Sequence, residues 1–251
     1  LNAGQGIVIV QLINLACIFI KNIGYVCYVK INYKKVDYKQ VPDMKAIGKR
    51  WNVLIHSLAG IVVNNTDIII LTLFGSLKIV SVYGVYNMVF SQLSSVIQTT
   101  FMQAPQSSFG QLYQKNRKKF KQAFELYEFI VTLVLFIICS IALTLISPFV
   151  ELYTSGVSDA DYIDIALPIL FASILLMNQI RIPSLITINV AGHFKETQGG
   201  AIIEAIINIS VSLMLFFFTN LGLYGLLIGT ICSYLFRTVD VIIYSHRNLV
   251  K

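Results

Sequence analysis

Apolar residues fall in long blocks along this chain and not in short alternating runs. Seven blocks reach the roughly 20 mainly apolar residues that a helix needs to cross a bilayer. They lie at residues 4–28, 51–73, 79–102, 123–146, 163–190, 199–220 and 223–244. The alternating segments from which a membrane barrel is built are missing. The pattern therefore predicts an all-α fold, a polytopic transmembrane helix bundle of about seven spans. Positions spaced by 0, 4, 8 and 11 share one face of a helix, and on that spacing five blocks carry a polar stripe. The first has Gln11, Asn14, Lys21, Tyr25 and Tyr28, and the second has Asn52, His56, Gly60, Asn64 and Asp67. The third shows Asn87, Ser91, Ser94, Ser95 and Gln98, and the sixth Thr197, Gly200, Glu204, Asn208 and Ser212. The seventh shows Gly229, Thr230, Ser233, Arg237 and Asp240.

The two remaining blocks differ. Residues 129–146 are apolar nearly all round, as a lipid-facing helix should be, and Glu125 and Glu128 beside them are expected to pair with the adjacent lysines. In the fifth block Arg181 stands two residues before Pro183, with Pro168 a few turns earlier. Proline removes an intrahelical hydrogen bond, so this helix is expected to kink or unwind locally.

Composition narrows the class further. Hydrophobic residues make up 56% of the 251 and charged residues 12%, with a mean hydropathy of +0.74. Those values exclude a soluble globule, a disordered tail and a disulfide-stapled module. The net charge of +7 points away from nucleic acid, because the bases collect in short segments between the apolar blocks. Lys30, Lys34, Lys35, Lys39, Lys45, Lys49 and Arg50 follow the first block, and Lys115, Arg117, Lys118, Lys119 and Lys121 follow the third. Both groups are expected in the cytoplasm under the positive-inside bias, together with Lys195, Arg247 and Lys251. Glu151, Asp159 and Asp161 mark the opposite side, where Lys78 is the sole base. The first span then runs from outside to inside. With no basic segment or cleavage site ahead of it, the chain reads as a fragment of a longer protein, preceded by an even number of crossings.

Ionisable side chains at mid-bilayer cost roughly 2.5–3.5 kcal/mol each on insertion scales. Lys21, Asp67, Arg181, Glu204, Arg237 and Asp240 accordingly predict a water-filled cavity. Arg237 and Asp240, three apart on one helix, are expected to pair with each other. Ser91, Ser94, Ser212 and Ser233 read as helix-packing residues. His56, His193 and His246 are too scattered for a metal cluster, and Cys17, Cys27, Cys139 and Cys232 lie within spans. No phosphate loop or nucleophile elbow is present, so the reading carries no enzyme activity, no cofactor and no metal.

The runs NNTDIIILTLFGSLKIVSVYGVYNMVFSQL (64–93) and IRIPSLITINVAGHFKETQGGAIIEAIINISVSLMLFFFTNLGLYGLLIGTICSY (180–234) carry a resemblance. With Asn64 and Asp67, Gly84 and Tyr86, Glu204, Asn208 and Ser212, then Gly225, Gly229, Thr230 and Ser233, the chain resembles bacterial polysaccharide flippases of O-antigen and capsule type. These belong to the multidrug/oligosaccharidyl-lipid/polysaccharide exporter superfamily. The resemblance implies one lobe of a two-lobed transporter: residues 1–30 as the last helix of the first lobe, 31–50 as a cytoplasmic basic linker and 51–251 as a second-lobe six-helix bundle. It implies an undecaprenyl-pyrophosphate-linked oligosaccharide, flipped across the bacterial plasma membrane by alternating access. Its expected partners are that lipid-linked oligosaccharide, the lipid bilayer, and a polysaccharide polymerase and glycosyltransferases, with no nucleic acid. Lys21, Arg181 and Arg237 are the cations suited to the pyrophosphate, with Asn87 and Gln98 beside them in the cavity. Asp67, Asn64, Glu204, Asn208, Asp240 and Pro183 are expected to couple or gate. The alternatives are a cation-coupled multidrug antiporter of the same superfamily and a membrane enzyme such as a polymerase or acyltransferase. The enzyme is disfavoured because the outer loop at 147–162 has no His or Arg.

The charge pattern predicts the topology directly. On a cysteine-free background in intact cells, a membrane-impermeant thiol reagent should label Asp159→Cys and spare Lys118→Cys until the cells are permeabilised. Rapid labelling at position 118 would invert the assignment.

Overall fold

A bilayer core offers no hydrogen-bond partners, so each apolar block has to close its own backbone bonds as a helix. The computed structural model of the chain describes residues 3–33, 48 and 50–250. It comprises two units, Leu1–Ile47 and Gly48–Lys251. The first contains α1 (Ala3–Asn32). The expected linker at 31–50, with Lys34, Lys35, Lys39, Lys45 and Lys49, falls mostly outside the described residues.

The second unit runs through α2 (Arg50–Phe74), α3 (Leu77–Ile97), a six-residue π-helical segment (Gln98–Gln103), α4 (Ala104–Lys115) and α5 (Arg117–Tyr153). It continues with α6 (Ala166–Gln179), α7 (Ile182–Ala191), α8 (Phe194–Phe218) and α9 (Leu223–Asn248). Among the described residues, six helical stretches are long and apolar enough to cross a bilayer: Val8–Asn32, Arg50–Phe74, Arg117–Tyr153, Ala166–Ala191, Phe194–Phe218 and Leu223–Asn248. The third block forms α3 and most of the π-helical segment and is not among those six; its stripe places Asn87, Ser91, Ser94 and Ser95 along α3.

Between the third and fourth blocks the structure corrects the sequence reading. The basic residues there do not form a loop. Lys115 ends α4, and Arg117 to Lys121 form the first turns of α5, separated by Asn116 alone. The Asn116 side chain accepts from the Lys119 amide at 2.9 Å, satisfying one of the free donors at the helix start. Glu128 also departs from expectation, since its carboxylate lies 3.4 Å from the His246 ring on α9.

The fifth block is broken, as the proline position predicts. Ile180 and Arg181 separate α6 from α7, and Pro183 falls in the first turn of α7, where a missing amide proton costs nothing. Pro168 plays no part in the break, because it sits in the first turn of α6. That helix start is capped by Asp164, whose Oδ1 accepts from Ala166 and Leu167 at 2.7 and 2.8 Å. Burial pushes the Asp164 carboxyl up, but hydrogen bonds from the Tyr224 hydroxyl and the Leu167 and Ala166 amides outweigh it and hold it below the usual carboxylate range.

Packing is tightest between α8 and α9, with α2 laid against α8 and α6 against α9. The spacing Gly225-x-x-x-Gly229 lets two backbones approach without side chains between them. A Cβ built on Gly229 would come within 2.7 Å of the Ser212 amide and 2.8 Å of its Cα. The core beneath α3 is aromatic, with the Phe171 ring stacked on Tyr86 and Phe90 at centroid separations of 5.9 and 5.6 Å. α5 buries Val131, Leu135 and Cys139 on one side and exposes Phe129, Leu133, Phe136 and Ile137 on the other, as a helix facing lipid requires.

Gly229→Ala should push α8 and α9 apart at a cost of about 1–3 kcal/mol, the usual penalty for overpacking. Gly84→Ala, which meets nothing within 4 Å, should be neutral or slightly stabilising. Thermal unfolding of the detergent-solubilised protein compares the two, and equal melting temperatures would show that the crossing tolerates a methyl group.

Candidate functional site

The stripes on α8 and α9 face each other. On α8, Thr197, Glu204, Asn208 and Ser212 are buried, and on α9 so are Thr230, Ser233 and Arg237. Helical spacing brings these residues into two clusters, each joined to a different neighbouring element.

The first cluster is ionic. The break after α6 points Arg181 at Glu204, with Arg181 Nη1 to Glu204 Oε1 at 2.7 Å. Arg237 approaches the other oxygen of that carboxylate, Nε to Oε2 at 3.6 Å, and its Nη1 meets Asp240 Oδ2 at 2.5 Å. The expected pairing of Arg237 with Asp240 is therefore present, extended into an Arg181–Glu204–Arg237–Asp240 chain. Arg181 Nη2 donates to Asn178 Oδ1 at 2.7 Å, and the guanidinium lies 4.9 Å from the centre of the Tyr234 ring. Its Nε is buried without a hydrogen-bond partner. Two guanidinium groups thus face two carboxylates, which offsets the large desolvation cost of each charge.

The second cluster is centred on Asp67. Thr230 Oγ1 donates to this carboxylate, lying 2.9 and 3.0 Å from its two oxygens. Asn208 Nδ2 donates to Thr230 Oγ1 at 3.0 Å, while Asn208 Oδ1 is buried with no partner. Asp67, Thr230 and Asn208 therefore tie α2, α9 and α8 together through polar atoms. Tyr234 adds a third link, donating its hydroxyl to Asn64 Oδ1 at 2.9 Å.

Both clusters open onto cavities. One of about 360 Å³ is lined by Asp67, Tyr83, Asn87, Ser91, Ser95 and Thr230, among others. A second of about 470 Å³ is lined by His56, Arg181, Glu204, Gln179 and Met102. Val63, Asn64, Gln98, Asn178 and Tyr234 line both, so the two join into one polar groove between α2, α3, the α6–α7 break and α9. Most of its polar lining is neutral, made of amides and hydroxyls, and Tyr83, Phe90 and Tyr234 supply aromatic faces.

The groove and its clusters gather Asn64, Asp67, Asn87, Gln98, Arg181, Glu204, Asn208, Arg237 and Asp240 from the residues expected at the site. Pro183 positions the break that turns Arg181 inward. Lys21 belongs to the first unit, on α1, with its Nζ 5.8 Å from the centre of the Tyr25 ring. Of the four serines read as packing residues, Ser212 and Ser233 lie in the α8–α9 crossing. Ser91 lines the groove, and Ser94 accepts from Gln179 Nε2 at 2.5 Å. Sequence reasoning missed Asn178, Gln179 and Tyr234. A polar pair in an apolar block just before Pro183 was the available signal for the first two, and Tyr234 shares a helical face with Thr230 and Arg237.

Glu204→Gln should be severely destabilising, by about 3–5 kcal/mol, because it leaves two buried guanidinium groups without their shared counter-charge. Combining it with Arg181→Met should recover most of the folded yield, since Arg237 retains Asp240. The exchange R181E/E204R should fail, because it sets an arginine beside Arg237. Monodisperse yield and melting temperature in detergent read all three. A double variant no better than the single one would remove the ion pair as the cause.

No family model matches the chain, and no curated protein matches it. Among solved structures, it is similar to a crystal structure of MATE in the bent conformation, with 17% identity and a TM-score of 0.60. The match covers 78% of this chain and 42% of that one, so the chain spans less than half the length of its structural neighbour and shares its fold over that part.

Proposed function

We propose that the chain forms the second lobe of an alternating-access transporter that moves a lipid-linked oligosaccharide across the plasma membrane. The observation that carries this reading is the groove's lining of neutral amides and hydroxyls with aromatic faces. A sugar presents many hydroxyls and a weakly polar ring face, and recognition is built from hydrogen bonds plus apolar contact on that face. The pyrophosphate linked to that sugar is matched to Arg181, with Arg237 behind it, provided the phosphate competes with Glu204 for the guanidinium. The MATE-like fold supports a transporter lobe of this general kind.

In this reading Asp67 couples the motion. Neutralising its charge with a proton or a cation alters the Asp67–Thr230–Asn208 link, and with it the hold of α2 on α8 and α9. That feature also favours a second reading, a cation-coupled multidrug antiporter. Asp67 has a hydroxyl partner instead of a cation, next to an unpartnered carbonyl oxygen on Asn208.

Complementation separates the two. In a bacterial strain lacking its own flippase, the whole protein should restore surface polysaccharide. Asn87→Leu combined with Gln98→Leu should abolish it at unchanged protein level, and Asp67→Asn should reduce it. Ethidium efflux that is lost in Asp67→Asn, with no restoration of polysaccharide, would favour the antiporter and defeat the flippase.

A further inference from the structure

Two of the helices that wall the groove are interrupted, and the interruptions face the same space. The π segment contributes Gln98 and Met102 to the cavity of about 470 Å³, and the α6–α7 break contributes Gln179, Arg181 and Ile182. Gln179 Nε2 bonds Ser94 just ahead of the π segment, which itself packs against α7. On one side of this level α3 packs on α6, and on the other α4 packs on α7. The bundle's two broken helices are thus divided at one level into matched halves. α2, α5, α8 and α9 run past that level unbroken.

Each interruption frees a backbone carbonyl, and in each case an unbroken neighbour supplies a hydroxyl. In the π register, where the Ala104 amide donates to the Thr99 carbonyl five residues back, Pro105 has no amide proton for the Thr100 carbonyl, and beside it the Tyr127 hydroxyl of α5 donates to the Phe101 oxygen. Met177 lies in the last turn of α6, where carbonyls lack intrahelical donors, and Thr238 of α9 donates to its oxygen at 2.8 Å. At their far ends α4 and α7 stop at tight corners, Asn116 into α5 and Gly192 into α8. Gly192 adopts a φ of +69° that side chains rarely take. Leu185, Ile188 and Asn189 of α7, with Met102, also wall a cavity of about 280 Å³ beside His56 and Thr197.

We propose that α4 and α7 move as one body, an inner gate hinged at 98–103 and 180–181, and that Tyr127 and Thr238 are positioning residues that latch it closed. π-helical segments and proline breaks are where helices bend at low cost, and two hinges at one level allow a shift of the pair that neither helix could make alone. The hydroxyls hold the closed form by satisfying carbonyls that bending would otherwise expose. The inference rests on the transporter reading but is indifferent to what is carried.

Accessibility without substrate tests it. Thr197 is buried beside the inner cavity, and Lys118 is exposed at the start of α5. In inside-out vesicles of the full-length protein on a cysteine-free background, the labelling rate of Thr197→Cys by an impermeant maleimide is measured against that of Lys118→Cys. Tyr127→Phe with Thr238→Val should raise the ratio roughly three- to ten-fold, the shift expected from losing one or two hydrogen bonds. An unchanged ratio in a protein of unchanged melting temperature overturns the latch. The paired motion has its own arm, because a Cβ at position 110 would lie 4.0 Å from Val190 Cβ, a separation suited to a disulfide. Cross-linking Gly110→Cys to Val190→Cys should leave labelling at position 197 intact in the wild-type and the hydroxyl-free backgrounds. Loss of labelling on cross-linking, in either background, shows α4 and α7 sliding separately and overturns the single gate. Because no arm uses substrate, failure of the flippase reading would leave this result standing.

Discussion

Glu204 stands between two arginines at the edge of the polar groove, and much of the surrounding structure follows from that placement. A buried guanidinium needs a counter-charge within a few ångströms, and Glu204 supplies one to Arg181 at 2.7 Å and approaches Arg237 at 3.6 Å. To present Arg181 there, the helix carrying it has to break, which Pro183 makes inexpensive. To seat Arg237 and Asp240, α9 has to lie directly on α8. Gly200 leaves room for that pair of side chains: a Cβ there would come within 2.1 Å of Asp240 Oδ2 and 2.3 Å of Arg237 Nη1. The helix break, the glycine and the close crossing form one interdependent arrangement around a single carboxylate.

Backbone polarity is handled by the same logic. Unbroken helices satisfy their own amides and carbonyls, and they lend side-chain hydroxyls to the helices that do not. Thr238 on α9 and Tyr127 on α5 serve carbonyls of α6 and the π segment. The division separates supporting elements from cavity-forming ones, because side chains at the interruptions line the groove while carbonyls there meet hydroxyls of unbroken helices.

Much of this was legible in the sequence. Blocks of about 20 apolar residues are a strong signal because the bilayer sets their length, and the α8 and α9 stripes were readable because a period of 3.6 has to bury those residues together. Three features were hidden for physical reasons. The basic stretch after residue 115 looks like a loop by composition, yet one Asn at position 116 is enough to turn the chain between two helices. Pro168 and Pro183 are alike as letters. Whether a proline starts a helix or follows a break depends on neighbours such as Asp164, which caps α6 from a turn. Tyr234 sits in an apolar run, and its role appears only when Asn64 and Arg181 arrive from other helices.

The charge balance bears on how an anionic ligand is held. Arg181 already gives one Nη1 hydrogen to Glu204 and one Nη2 hydrogen to Asn178, its Nε is buried without a partner, and its charge is already matched by the Glu204 carboxylate. A phosphate entering the groove therefore trades one carboxylate for another anion, a near-balanced exchange, unless Glu204 is neutralised or shifts wholly to Arg237. Exchange of this kind gives weak net binding together with a strong dependence on the protein's conformation, as the proposed transport of an anionic cargo would require. Under the proposed function, discrimination among cargoes falls to neutral groups such as Asn64, Asn87 and Gln98, whose hydrogen bonds would be lost outright when a ligand lacks the matching hydroxyl.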